Sequence, residues 1–417
     1  MKARDMHNVY VRRRLTYTLC MILLAATPII ATGQQSEPPE QHGMDSRILA
    51  DMTNFIVKEK APMFSLLVSR RGTLVYEMYT HNLTRNHSNY VMSVTKSFTA
   101  TLVGLAIDKG LFRSVKQNLA EAFPAQAFAS PAEQKRFAAV TIRDVLAMSA
   151  LDALVPPHQL TIEAEQRNHD FHAAPNRASF ALTQKLLPQP GTDFQYQDIT
   201  PSLAIGMVAA ASGKSSWEFA RENLFDPMGF VNVEWMHADQ SGLDLGAYGL
   251  RMRPIDMQKF GILYLDKGVF DGKRLLSKEW VDLVFEPVIK SVPNETRPNY
   301  GYYFWHPYFY NDATSLLASG WRGQYILTIP EKQLVVTMTA CFLDGKENEF
   351  FIKLVNEYIL RSVNAAPNKG GFIKLKTALA QALKSTPVNL QAIEARMVPS
   401  VKPLEDTGHH FFPALKR

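Results

Sequence analysis

The sequence predicts an α+β fold: one antiparallel sheet built from both ends of the body, flanked by helices, with a helical subdomain inserted between. Three observations carry this. Phe64–Ser69 and Thr73–Tyr79 are strand-like runs joined by Arg70-Arg71-Gly72, a hairpin. Tyr325–Pro330 and Leu334–Thr339 form a second hairpin around Glu331-Lys332-Gln333. Between them, from about Leu111 to Asp239, the apolar spacing is mostly helical. Strands at both ends and helices in the middle pack most economically as one sheet with an insertion.

Residues 1–33 read as an export signal: Lys2, Arg4 and Arg12-Arg13-Arg14, then an apolar run from Leu15 to Ile30, then small residues before a cleavage near Gly33. The run is short for a membrane span and holds Pro28. The expected location is periplasmic or secreted. Of two cysteines, Cys20 lies in the signal and Cys341 ends a strand-like run, so the mature chain has no intramolecular disulfide to form. The formal charge is +6, but residues 1–33 hold five basic residues and Asp5, and residues 365–417 hold eight basic and three acidic residues. The body between is slightly acidic, which argues against a nucleic-acid partner.

Residues 34–44 read as a linker. Residues 45–60 form a helix with Ile48, Leu49, Met52, Phe55 and Ile56 on one face. After the first hairpin comes Tyr90-Val91-Met92-Ser93-Val94-Thr95-Lys96-Ser97-Phe98, entering a helix whose apolar face continues through Leu102, Leu105, Ala106 and Leu111. With the helix beginning near Ser93, positions i and i+3 share a face, so the Ser93 hydroxyl and the Lys96 amine can meet. A helix N-terminus adds free N–H groups and a positive dipole end. That is chemistry for a nucleophilic serine, provided that the amine can act as a base.

Thr141–Met148 suggests a capped helix. Residues 151–178 look irregular and polar, and His158, His169 and His172 lack metal-ligand spacing, so a solvated loop or pocket wall is expected. Pro190-Gly191-Thr192 marks a turn before Phe194–Asp198, and helices follow over 201–212, 216–224, 254–268, 277–284 and 347–363. Residues 364–417 form an extension: a Lys369-Gly370-Gly371 linker, a short basic helix from Ile373 to Leu383, then a Pro-containing tail. It is expected to be solvated rather than to contact a membrane.

Residues 45–363, with the helical subdomain at about 111–239, resemble the serine β-lactamase-like superfamily: class C β-lactamases, DD-peptidases, related esterases and 6-aminohexanoate dimer hydrolases. Ser93-Val94-Thr95-Lys96 matches its first motif, Tyr196-Gln197-Asp198 its second, and Gly320-Trp321-Arg322-Gly323-Gln324 its third. The resemblance implies a β-lactamase/transpeptidase-like fold and an acyl-enzyme on Ser93. It implies that Lys96 and Tyr196 share proton removal and delivery, and it calls for no metal or organic cofactor. For the oxyanion, the expected donors are the backbone N–H groups of Ser93 and Gln324. Asp198, Trp321, Arg322 and Gly323 are expected to line the pocket.

Three departures qualify the match. Asp198 replaces a common asparagine, and its charge would hold Lys96 protonated. Trp321 replaces the Lys or His of the third motif, which weakens the case for penicillin-carboxylate binding. Ala147-Met148-Ser149-Ala150-Leu151 lacks the glycine usual there. The reading favoured is an exported serine hydrolase acting on a small-molecule ester or amide. The alternatives are a DD-peptidase or β-lactamase on cell-wall-like substrates, and a binding protein on the same fold without the chemistry.

Overall fold

The computed structural model describes residues 36–152, 162–237, 239–290, 299–307, 314–365 and 370–385. The expected signal at 1–33, and His158 within the polar stretch, lie outside the described residues.

The sheet has seven strands. They are β1 (Met63–Arg70), β2 (Thr73–Tyr79), β3 (Asn299–Gly301), β4 (Phe304–His306), β5 (Leu316–Gly320), β6 (Gln324–Ile329) and β7 (Leu334–Ala340), in the order β2-β1-β7-β6-β5-β4-β3. Every described pairing is antiparallel, and β1 from the N-terminal side runs beside β7 from the C-terminal side, Arg70 opposite Leu334. The sheet is thus built from both ends, as the pattern predicts. Arg71 and Gly72, at φ of 54° and 78°, make the two-residue β1–β2 turn. Positive φ at both positions matches the right-handed twist of the strands.

The helices are α1 (Ser46–Lys58), α2 (Val94–Asp108), α3 (Ile142–Leu146), α4 (Ile162–Ala173), α5 (Arg177–Thr183), α6 (Ile199–Ser212), α7 (Pro254–Leu265), α8 (Lys278–Val284), α9 (Glu347–Lys353) and α10 (Gly371–Leu383). Helices α2, α7 and α10 lie against the sheet, whereas α3 and α5 pack on α6 and α4 packs on α5. Asp45 caps α1 by accepting the Arg47 N–H, and Thr141 with Asp144 forms a capping box on α3. Helix α7 lies close on the sheet: a Cβ on Gly261 would come 2.4 Å from Val335 Cγ1.

Helix α2 differs from its one-faced expectation. All thirteen residues from Val94 to Ala106 are buried, so the helix is the core of the molecule rather than a surface element. Its hydroxyls are satisfied inside: Ser97 donates to the Tyr303 carbonyl at 2.7 Å, Thr99 to the Gly246 carbonyl at 2.8 Å and Thr101 to the Ser97 carbonyl at 2.8 Å. Each such bond is worth about 1 kcal/mol net, and leaving one unmade would cost more. Gly104 admits the Trp280 ring, which a Cβ would meet at 2.4 Å.

Three stretches differ from expectation. Part of the polar run at 151–178 is the helix α4. It was hard to see because among its described side chains only Phe171 is buried. Residues 36–44 carry a 3-10 turn at Pro39–His42, and Met44 is buried and bridged to Val363. Helix α10 packs on α1 and buries Leu375, Ala378, Leu379 and Ala382, so this part of the extension is docked rather than solvated.

Candidate active site

Ser93 immediately precedes α2. Met92, at φ 51°, turns the chain sharply, and Val94, Thr95 and Lys96 donate to the carbonyls of Val91, Met92 and Ser93. The Ser93 N–H has no acceptor among the described residues. One turn on, Lys96 is buried, and its Nζ lies 2.9 Å from Ser93 Oγ, 2.7 Å from Asp198 Oδ1 and 3.0 Å from the Ala247 carbonyl. Three acceptors use all three hydrogens of an ammonium. Burial pulls the Lys96 pKa down, but the Asp198 carboxylate and then Tyr196 push it up, and the net shift is upward. Lys96 therefore stands as a cation against the serine hydroxyl.

The loop that supplies the Ala247 carbonyl is stitched to α2. Thr99 holds the Gly246 carbonyl, Thr95 Oγ1 accepts the Leu250 N–H at 3.2 Å, and the Leu250 carbonyl accepts the Val91 N–H at 2.9 Å. A Cβ at Gly246 would come 2.4 Å from the Pro201 carbonyl, so this approach needs glycine.

Asp198 is the residue before α6, and Tyr196 sits two residues earlier with 40% of its surface exposed. The Tyr196 ring centroid is 5.0 Å from Lys96 Nζ. Ser93, Lys96, Tyr196 and Asp198 thus come together. Behind Tyr196 stands an aromatic wall that the three sequence motifs do not contain. Trp305 on β4 stacks on it at 5.8 Å and 24°, while Tyr300 on β3 and Phe194 close the cluster. The available signal was aromatic density: Tyr300-Gly301-Tyr302-Tyr303-Phe304-Trp305.

The third motif is placed differently from expectation. Gln324 opens β6 with no exposed surface, and its side-chain amide donates to the Ala340 carbonyl at 2.5 Å. A residue so enclosed does not offer its N–H to an open cleft. Gly320, at the end of β5, is the residue against α2: a Cβ there would come 2.4 Å from the Val91 carbonyl and 3.2 Å from Met92 Cβ. The next N–H, that of Trp321, has no acceptor among the described residues. Trp321, Arg322 and Gly323 form the β5–β6 turn, with Arg322 and Gly323 at φ of 64° and 98°. The Trp321 side chain is 55% exposed, and the Arg322 guanidinium stacks on it at 4.0 Å while reaching Cys341 Sγ at 3.6 Å. Gly323 sits against Ala340 and Met338.

Met148 lies in the stretch Ala147–Leu151, which lacks the glycine expected there. Its φ is 54°, a conformation that glycine adopts without steric cost. Its carbonyl accepts the Gln195 N–H at 2.9 Å, anchoring the segment that carries Tyr196.

The chain matches the Beta-lactamase family model over residues 41–349. It belongs to the β-lactamase family. Solved structures agree with the fold of this β-lactamase-family protein. A protein assigned as a 6-aminohexanoate-dimer hydrolase from Bacillus anthracis is 16% identical, with a TM-score of 0.59 over 75% of this chain and 82% of that one. EstCE1, a hydrolase with promiscuous acyltransferase activity, is 13% identical, with a TM-score of 0.62 over 75% of this chain and 99% of its own. The octameric penicillin-binding protein homologue from Pyrococcus abyssi is 19% identical, with a TM-score of 0.57 over 76% and 77%. No curated protein sequence matches. At these identities the likenesses establish the fold, and the family is one of hydrolases.

His169 of this β-lactamase-family chain is exposed beside Asp170, and His172 is half-buried near Arg177.

Proposed function

We propose that this protein is an exported serine hydrolase that cleaves a small-molecule ester or amide through an acyl-enzyme on Ser93. The observation that carries the reading is the 2.9 Å contact of the buried Lys96 ammonium with Ser93 Oγ. Attack forms the bond from Ser93 Oγ to the carbonyl carbon. The Tyr196 phenol oxygen accepts the serine proton while its own proton passes to the leaving oxygen or nitrogen, whose bond to carbon breaks. Water then attacks the acyl carbon, the bond from that carbon to Ser93 Oγ breaks, and one water proton reaches Ser93 Oγ through the same phenol. Lys96 remains charged throughout and stabilises the serine alkoxide, a different role from sharing the base function. The free N–H groups of Ser93 and Trp321, rather than Gln324, donate to the oxyanion.

Esters and amides such as 6-aminohexanoate dimers fit this reading better than β-lactams. The third-motif side chain is the exposed Trp321, and Arg322 is turned onto that ring. Hydrolysis of p-nitrophenyl butyrate by the full chain and by Ser93→Ala tests the chemistry. Loss of at least 1,000-fold in kcat/KM is expected, since removing a nucleophile costs orders of magnitude. Survival of a tenth of the rate would remove Ser93 from this role. Export is inferred from the basic and apolar N-terminus, and N-terminal sequencing of the secreted protein should begin just after Gly33. A mature chain that still begins at Met1 would contradict it.

A further inference from the structure

Of the three acceptors around Lys96 Nζ, two are side chains and one, the Ala247 carbonyl, is backbone. What fixes that carbonyl lies outside the three sequence motifs. Three consecutive carbonyls of its segment are each taken by a side-chain donor: Leu245 by the Trp235 indole N–H at 2.9 Å, Gly246 by Thr99 Oγ1 at 2.8 Å and Ala247 by Lys96 Nζ at 3.0 Å. Thr99 and Lys96 reach it from α2. Trp235 reaches it from a short antiparallel pairing, in which the Leu245 N–H donates to the Met236 carbonyl at 2.9 Å and His237 bridges Asp244. The segment is thus tied on one side to α2 and on the other to residues 235–237.

Asp244 anchors the outer end of this segment. It has no exposed surface. Its Oδ2 accepts the Trp217 N–H of the short helix Ser216–Ala220 at 2.7 Å, and its Oδ1 lies 3.1 Å from Nδ1 of the mostly exposed His237. Burial pushes the Asp244 carboxyl up to about 6, against the pull of His237 and of the Trp217 N–H. A carboxylate buried on those terms contributes little stability compared with a well-packed apolar residue. Its use is one of position. A charge-assisted hydrogen bond fixes where residue 244 sits, three residues before the carbonyl that aims Lys96.

We propose that Asp244 and Trp235 are positioning residues for Lys96. They hold Leu245–Ala247 so that the Ala247 carbonyl takes one ammonium hydrogen and the ammonium stays against Ser93 Oγ. This rests on the hydrolase reading of Ser93. Neither residue takes part in the bond-breaking steps.

The test compares wild type, Asp244→Ala, Asp244→Asn and Trp235→Phe on p-nitrophenyl butyrate across pH. Asp244→Ala removes the acceptor, and Trp235→Phe removes the indole N–H while keeping an aromatic ring. Each should lose about tenfold or more in kcat with KM within about twofold of wild type, the scale of a misplaced group. Lys96 faces Asp198 and Tyr196 as before, but with its third acceptor loosened it holds its proton less firmly. The alkaline limb of each pH–rate profile should therefore move to lower pH. Asp244→Asn keeps an oxygen for the Trp217 N–H and should recover most of kcat. A residue needed only for folding would lower the melting temperature and leave the limb in place. A folded variant with wild-type kcat or an unmoved limb would overturn the role of its residue, as would an Asp244→Asn no better than Asp244→Ala. If Asp244→Ala does not fold, Trp235→Phe decides on the same readouts. If folded wild type does not hydrolyse the ester, the hydrolase reading fails instead. Carbon NMR titration of protein isotope-labelled at the lysine Cε, with Lys96→Met for assignment, then still tests the placement. A lower Lys96 midpoint in Trp235→Phe supports it, and an unmoved one overturns it.

Discussion

The two halves of the candidate site are built in opposite ways. Ser93 and Lys96 belong to a helix buried on every side, with hydroxyls tied to the Tyr303 and Gly246 carbonyls and to a neighbouring turn. Tyr196, Trp321 and Asp198 belong to loops and element ends and are partly open to solvent. In the proposed chemistry the buried helix would hold the reacting atoms and the half-open wall would face the substrate.

The comparison breaks most severely at Lys96. Lys96→Met should lower kcat/KM by about 1,000-fold while the protein stays folded, because it removes the charge held against Ser93 Oγ. Near-normal ester turnover would show that the buried half does not carry the chemistry. Packing is the next lever. Gly104→Ala drives a methyl into the Trp280 ring and should cost about 2–3 kcal/mol in a denaturant melt, the usual scale of overpacking. An unchanged midpoint would mean that α2 is less tightly held than described.

On the open side, Trp305→Ala removes the ring stacked on Tyr196. A drop of about tenfold in kcat/KM is expected, the scale of one misplaced group, together with a stability loss of about 3–5 kcal/mol because the ring is buried. A wild-type rate would leave Trp305 as packing alone. The subtlest effect lies where the halves meet. Asp198 raises the Lys96 pKa, so Asp198→Asn should lower it. Because Lys96 acts as an ammonium, activity is lost when it deprotonates, and the alkaline limb of the pH–rate profile should move to lower pH. A move of the acid limb to lower pH instead, with activity at neutral pH rising, would show Lys96 acting as a neutral base and contradict the account.

Legibility followed locality. Ser93 and Lys96 were readable because a three-residue spacing on a helix is a local relation. The hairpins at 64–79 and 325–339 were readable for the same reason, since turn residues and strand runs are contiguous. Trp305 was not, because it reaches Tyr196 from β4 through tertiary packing. Gln324 was chosen by motif position, whereas the contact of Gly320 with Val91, which points to Trp321 instead, exists only in three dimensions. Helix α2 was misjudged in kind: its apolar face through Leu102, Leu105 and Ala106 was legible, but the burial of the rest, with Thr95, Thr99 and Thr101 each finding a buried partner, was not. In α10 the stripe of Leu375, Ala378, Leu379 and Ala382 was present in the sequence, yet only α1 gives it something to cover.

The central claim, that Ser93 is an activated nucleophile, is tested most directly by intact-mass spectrometry after treatment with a fluorophosphonate, with Ser93→Ala as control. The account predicts one phosphonyl adduct on wild type and none on the variant. A folded wild type that takes no adduct, or a variant that takes the same one, would contradict it.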